Sequence, residues 1–112
     1  MDDCIFCKIA SHVIESDYVY EDDRVCAFRD LSPLAPTHVL VIPKHHYETM
    51  VDGVASEDLV AMTHAVEEVV KSEGIAETGF RVVTNGGADA GQAVHHLHWH
   101  VLGGRRLTDD FA

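Results

Sequence analysis

No stretch of 18 consecutive apolar residues occurs in the 112-residue sequence, so no segment reads as a bilayer-spanning helix. Positive charge is scarce: three lysines (Lys8, Lys44, Lys71) and five arginines stand against 19 acids, a formal net charge of −11. Such a surface repels polyanions, which argues against nonspecific binding to nucleic acid or to a membrane. A single nucleotide remains admissible, because neutral backbone N–H groups can hold its phosphates. The acid excess suits either a salt-rich cytoplasm or an ordinary soluble surface. Cysteine is limited to three, an odd count that argues against a closed disulfide framework. The start, Met1-Asp2-Asp3, is acidic where a signal peptide is basic, so a cytoplasmic location is expected. No repeat, low-complexity run or linker interrupts the chain, and residues 1–112 read as one domain.

What is present is a globular composition, with 46% hydrophobic and 24% charged residues. Cys4 to Ala10 reads as a short helix or turn. Asp17–Glu21 and Val25–Arg29 are β-prone runs around the turn cluster Asp22-Asp23-Arg24, so a hairpin is expected. Leu31–Pro36 holds two prolines and reads as a loop. His38–Ile42 is a strand rich in branched residues, and Lys44–Met50 is expected to start a short helix. The clearest helix runs from Ser56, its expected cap, to about Glu73, with Gly74 as its stop. Leu59, Met62, Val66 and Val69 or Val70 form its buried stripe. Phe80–Thr84 and His95–Leu102 complete the strands, the last stopped by Gly103-Gly104. The fold class is α+β: a five-stranded antiparallel sheet with one long helix and a short N-terminal helix.

Chemistry concentrates in Gly91–Arg105. His96, His98 and His100 alternate with Leu97, Trp99 and Val101. On a strand, alternate residues share one face, about 6.5–7 Å apart, so three imidazoles line up. His95 falls on the other face and reads as structural. Aligned imidazoles serve either as metal ligands or as a nucleophile with supporting neighbours. The small-residue loop Asn85–Gly91 ahead of them reads as a phosphate cradle, which favours the nucleophile. The Cys4-x-x-Cys7 pair is open among zinc, redox and chance. Cys26 reads as a buried small hydrophobe.

The run His96-Leu97-His98-Trp99-His100-Val101-Leu102 resembles the signature of the histidine triad family of nucleotide-binding hydrolases. Asp30-Leu31-Ser32-Pro33, Ala35-Pro36-Thr37-His38, Val41-Ile42-Pro43-Lys44 and Gly91-Gln92 are similar to that family too, and the ending Gly103-Gly104-Arg105 resembles its phosphoramidase branch. The resemblance implies a hydrolase of nucleoside monophosphate derivatives, such as adenosine phosphoramidates, working through a nucleotidyl-histidine. It implies His98 as nucleophile, with His100 on the phosphate, His96 on the other flank and His38 supporting the tautomer. For the nucleotide it implies Phe28 and Leu31 at the base, Asp30 at the ribose, and Asn85, Gly91, Gln92 and Ala93 at the phosphate and sugar. Many relatives carry Ser in place of Ala93, a lost hydroxyl donor worth roughly 0.5–1.5 kcal/mol. A zinc-bearing subgroup shares the cysteine pair, which implies a structural zinc on Cys4, Cys7, His46 and His96. A two-fold homodimer is implied as well, with the Ser56 helix and the Phe80 strand near its interface. The alternatives are a dinucleoside-polyphosphate hydrolase, a nucleotide sensor with little turnover, and a metal-storage or metal-sensing module.

Overall fold

The structure, a computed structural model, describes residues 3–109. Its order is α1 (Ile5–Ala10), β1 (Tyr18–Glu21), β2 (Val25–Arg29), β3 (Thr37–Pro43), α2 (Ser56–Ser72), β4 (Phe80–Val83) and β5 (Trp99–Gly103), with a single 3-10 turn at Ala88–Ala90 before β5. The five strands form one sheet in the order β1-β2-β3-β5-β4, every pair antiparallel. This is the expected α+β architecture. Among the described residues, no helix is long and apolar enough to cross a membrane.

Alternation along β3 divides the core. Val39 and Val41 face α2, joining Val25, Ala27, Met62, Val66, Val69 and Val101. Leu40 and Ile42 face α1, packing with Phe6, Ile9, Cys26 and Phe28. Both faces of the central strand are covered, so every residue of Thr37–Pro43 is buried. The α2 stripe is as expected at Met62, Val66, Val69 and Val70, with Ala65 added and Leu59 only half-buried. Cys26 is fully buried, and burial pushes its thiol up to about 12.

Three boundaries differ from expectation. The last strand starts at Trp99, not His95. Pro43 ends β3 without an N–H to offer, and the Leu97 N–H donates to the Tyr47 carbonyl at 2.7 Å instead. Residues Lys44–Met50 form turns rather than a helix; the Tyr47 and Glu48 carbonyls accept from Leu97 and Gln92, so they are committed outside any helical ladder. Ser56 does not cap α2. Ala55 holds the cap position, and its N–H donates to Tyr47 Oη at 3.2 Å. The Tyr47 hydroxyl donates in turn to the buried Asp58 carboxylate at 2.6 Å, which also accepts from Arg24 at 3.0 Å. One loop thereby ties the start of α2 to the segment that leads into β5. At the other end, the Gly74 and Ile75 N–H groups return to the Lys71 and Val70 carbonyls, as the stop at Gly74 requires.

Candidate active site

His98 and His100 present their rings on the α1 face of the sheet, with centroids 5.0 Å apart. Phe6, from α1, stands edge-on to His98 at 5.1 Å and to His96 at 6.0 Å. Leu97 and Val101 lie in the opposite core, beside the partly buried Trp99. The alternation therefore persists although His96 and His98 precede the ladder. His95 is exposed, 3.8 Å from Glu48, and is not the satisfied structural histidine expected.

Hydrogen-bond partners fix each tautomer. His98 Nδ1 lies 2.7 Å from the His96 carbonyl, which can only accept. Nδ1 therefore carries the proton, and the Nε2 lone pair is free. The Leu34 N–H donates to His38 Nδ1 at 3.1 Å, which makes Nδ1 the acceptor and Nε2 the protonated atom. His38 Nε2 then donates to His100 Nδ1 at 2.9 Å, leaving His100 with an Nε2–H to offer. His96 Nε2 donates to the Pro43 carbonyl at 2.8 Å, so its Nδ1 lone pair is available. Burial, then the neighbouring His98 and His38, depress His100 to about 4. Burial also lowers His38, against an opposing pull from Asp30.

These depressed values predict acid sensitivity. The unfolded imidazoles titrate near pH 6.5. Between about 6.5 and 4 the unfolded chain binds more protons than the fold does. The stability contributed by neutral His100 is full above the ordinary histidine value and is lost as pH falls through that window, and the lowered His38 adds a loss of the same sign. The slope reaches up to about 1.4 kcal/mol per pH unit for each histidine. The exposed His12 acts oppositely, because Glu21 and Glu15 raise its pKa, but salt screens that surface cluster. At 0.5 M salt, the urea midpoint is expected to be lower at pH 5 than at pH 7.5. An unchanged midpoint would contradict the burial argument.

A cavity of about 200 Å³ opens beside this row, lined by Ile5, Phe6, Ile9, Phe28, Asp30, Leu31 and Leu40. Phe28 is buried and packs edge-on to Phe6 at 5.5 Å. Leu31 is 97% exposed at its rim. Asp30 Oδ1 accepts from the Ser32 N–H, and Oδ2 sits 3.6 Å from His38 Nε2. The loop from Asn85 to Gly91 is less open than a phosphate cradle suggests. The Gly87, Gly91 and Gln92 N–H groups are all used within it. Gln92 also spends its whole amide there, accepting from Gly87 and donating to the Glu48 and Val94 carbonyls. Gly91 takes φ +81 to close the turn, and Ala93 is exposed beyond it.

Cys4, Cys7, His46 and His96 offer ligand atoms that all lie within 4.8 Å of one another. His96 Nδ1 is 3.3 Å from Cys4 Sγ and 3.5 Å from Cys7 Sγ, and His46 Nδ1 is 3.3 Å from Cys7 Sγ. Tetrahedral zinc with Zn–S about 2.3 Å and Zn–N about 2.0–2.1 Å sets S···N edges of about 3.5 Å, so this donor set fits. The Pro43 carbonyl holds the His96 ring from behind in the ligating tautomer. Burial, and next the Cys4 thiol, push Cys7 up to about 11, so the Cys7 thiol stays protonated unless a cation joins it. Asp30, His38 and His100 also converge. There the His38 and His100 nitrogens already share a proton, so no two lone pairs face a common point.

Several contributors were not anticipated from the sequence. Phe6 follows from the Phe6–Ile9–Ala10 spacing that forms the inner face of α1. Thr84 Oγ1 donates to the His98 carbonyl at 2.9 Å. The Leu34 N–H and the Pro43 and His96 carbonyls are backbone atoms that no side-chain pattern encodes.

A row of histidines backed by a small sheet, beside a cavity, defines the HIT class of protein. A sequence model of the HIT domain matches residues 11–107, and the chain belongs to that family. It is 45% identical over 108 residues to the purine nucleoside phosphoramidase of Escherichia coli strain K12, covering 95% of this chain and 91% of that one. A histidine triad protein from Clostridium difficile superposes with TM-score 0.90 at 47% identity, over 96% of each chain. A HIT family hydrolase from Clostridium thermocellum superposes with TM-score 0.92 at 41% identity, over 100% of this chain and 99% of that one.

Proposed function

We propose that the protein is a purine nucleoside phosphoramidase that works through a covalent nucleotidyl-His98. The tautomer of His98 carries this reading. Its Nδ1–H is anchored on the His96 carbonyl, so the neutral ring has its lone pair on Nε2. In the first step that lone pair attacks phosphorus and the P–N bond to the amine breaks. The His98 ring becomes an imidazolium, and the His96 carbonyl at 2.7 Å steadies its charge. The His100 Nε2–H donates to a phosphoryl oxygen, held in that tautomer by His38. Ala93 offers no hydroxyl, so the departing amine takes its proton from water. Water then attacks phosphorus, the P–N bond to His98 breaks, and the nucleoside monophosphate leaves. Phe28 and Leu31 border the base, Asp30 Oδ2 is free for the ribose, and Asn85, Gly91, Gln92 and Ala93 bound the phosphate side, Gln92 by holding its loop. The similarity to the phosphoramidase supports the substrate class.

The test is a panel of AMP-amides, diadenosine polyphosphates and nucleoside diphosphates, read by product analysis. AMP and amine are expected from the amides, with kcat/KM at least about 100-fold above that for the polyphosphates. Tight AMP binding with no turnover of any amide would instead make the protein a sensor.

Zinc is the metal the quartet suits, and when bound it supplies a structural crosslink. Three free thiols in the described chain suit a reducing, cytoplasmic compartment. A homodimer is part of the same reading. A groove of about 460 Å³ between α2 and β4 is lined mainly by Val66, Val70, Phe80, Val82 and Trp99. Among the described residues, the buried Trp99 Nε1 has no acceptor within the protomer. β4 is an edge strand with Phe80 and Val82 exposed, so pairing there would extend the sheet. Light scattering at micromolar concentration is expected to give twice the protomer mass; the protomer mass would refute the dimer.

A further inference from the structure

The reaction outlined above leaves Gly103-Gly104-Arg105 without a task beyond ending β5. From the geometry we infer that Gly104 and Arg105 clamp the 31–36 loop, so that the Leu34 N–H fixes the His38 tautomer, and that Arg105 is a positioning residue. This rests on the proposed hydrolysis for its catalytic consequence, though not for the clamp itself.

Little else holds that loop. Of residues 31–36 only Ala35 is buried, and the Leu34 side chain is 71% exposed. Leu34 is placed by its backbone. Arg105 Nη2 donates to the Leu34 carbonyl at 2.8 Å, while the Leu34 N–H donates to His38 Nδ1 at 3.1 Å. Arg105 Nη1 donates to the Arg106 carbonyl at 2.8 Å, which ties the guanidinium to its own turn. Gly104 brings that turn against the loop. Its φ is +94, and a Cβ there would lie 2.9 Å from Pro36 Cβ and 3.3 Å from Cγ. Only glycine permits this approach without moving Pro36.

The chemical consequence runs through two rings. The Leu34 N–H forces a lone pair at His38 Nδ1 and a proton at Nε2, which donates to His100 Nδ1. His100 is thereby left with an Nε2–H for a phosphoryl oxygen. If the loop drifts, His38 can carry its proton on Nδ1. Its Nε2 then accepts from His100, and His100 Nε2 turns from donor to lone pair. Asp30 Oδ2, at 3.6 Å from His38 Nε2, lies beyond hydrogen-bond reach and does not fix the ring alone.

The test uses the full chain with 15N-labelled histidine, identifying His38 by the signals lost in His38→Gln. Wild type is expected to hold His38 in the Nε2–H tautomer. In Arg105→Gln, an exposed site where the fold is safe, the Nδ1–H form is expected to appear. Leu34 amide exchange should quicken by at least about tenfold, as a local opening would produce. With an AMP-amide, kcat is expected to fall about tenfold with KM within about twofold, the mark of an interaction made in the transition state. Arg105→Lys, which keeps a donor, should recover most of each effect. Gly104→Ala should give the same signature by displacing Pro36. The inference is overturned if Arg105→Gln leaves the His38 tautomer and Leu34 exchange as in wild type, whether or not kcat falls. If wild type turns over no amide, the proposed function fails, and the tautomer and exchange measurements still decide the clamp.

Discussion

His98→Gln will lower kcat for an adenosine phosphoramidate by at least about 10⁴-fold, the scale seen when a covalent nucleophile is removed. Acid-quenched mass spectrometry of wild type should carry one nucleotidyl group on His98, and the variant should carry none. The reason is chemical. Glutamine can keep a donor near the His96 carbonyl and fill space beside Phe6, but its amide has no nucleophilic lone pair. His100→Asn and His38→Asn should cost less, about 10²-fold each, because they remove charge stabilisation and leave the attacking atom intact. An adduct that persists undiminished in His98→Gln would move the nucleophile elsewhere.

Why His98, of three aligned imidazoles, is the free one was only half legible in the sequence. The alternation His96-Leu97-His98-Trp99-His100 put three rings on one face, and that face is where they are. Their separate roles come from partners outside the row. His96 turns Nδ1 toward two cysteines about ninety positions earlier, and His100 is linked to His38 across the β3–β5 pair. The His98 ring has a backbone carbonyl as its one hydrogen-bond partner among the described residues. Periodicity reports which face a side chain takes, whereas tautomers are set by long-range pairings. The same limit explains the local differences. Val25–Arg29 and the α2 stripe were readable because burial imposes their period. The Lys44–Met50 turns were not, because they are shaped by tertiary bonds from Leu97 and Gln92 and by the Tyr47–Asp58 contact that anchors α2. Ser56 reads as a cap by residue type, yet the tyrosine hydroxyl meets the Ala55 N–H, a long-range contact that no local pattern signals.

Cys7→Ser, or prolonged treatment with a strong chelator, will lower thermal stability far more than an ordinary surface change. The four ligands come from three segments: the start of α1, the turn after β3 and the approach to β5. α1 has six residues, too few to persist without tertiary support. Its anchors are Phe6, Ile9 and Ala10 against the sheet, together with the Cys4–Cys7–His46–His96 quartet at its first turn. Opening the quartet would separate the buried His96 and the half-buried His46 from the two cysteines, and would free α1 to lift Phe6 off His98. A loss of at least about 3 kcal/mol is expected, hence a Tm lower by roughly 10 °C or more. Elemental analysis of protein purified without chelator should find about one zinc per chain, and little in Cys7→Ser. Turnover should fall less than in His98→Gln, because His98 and His100 keep their own hydrogen bonds when α1 loosens. If wild type refolded with excess zinc holds none, and Cys7→Ser melts with it, then the thiols serve only as packing.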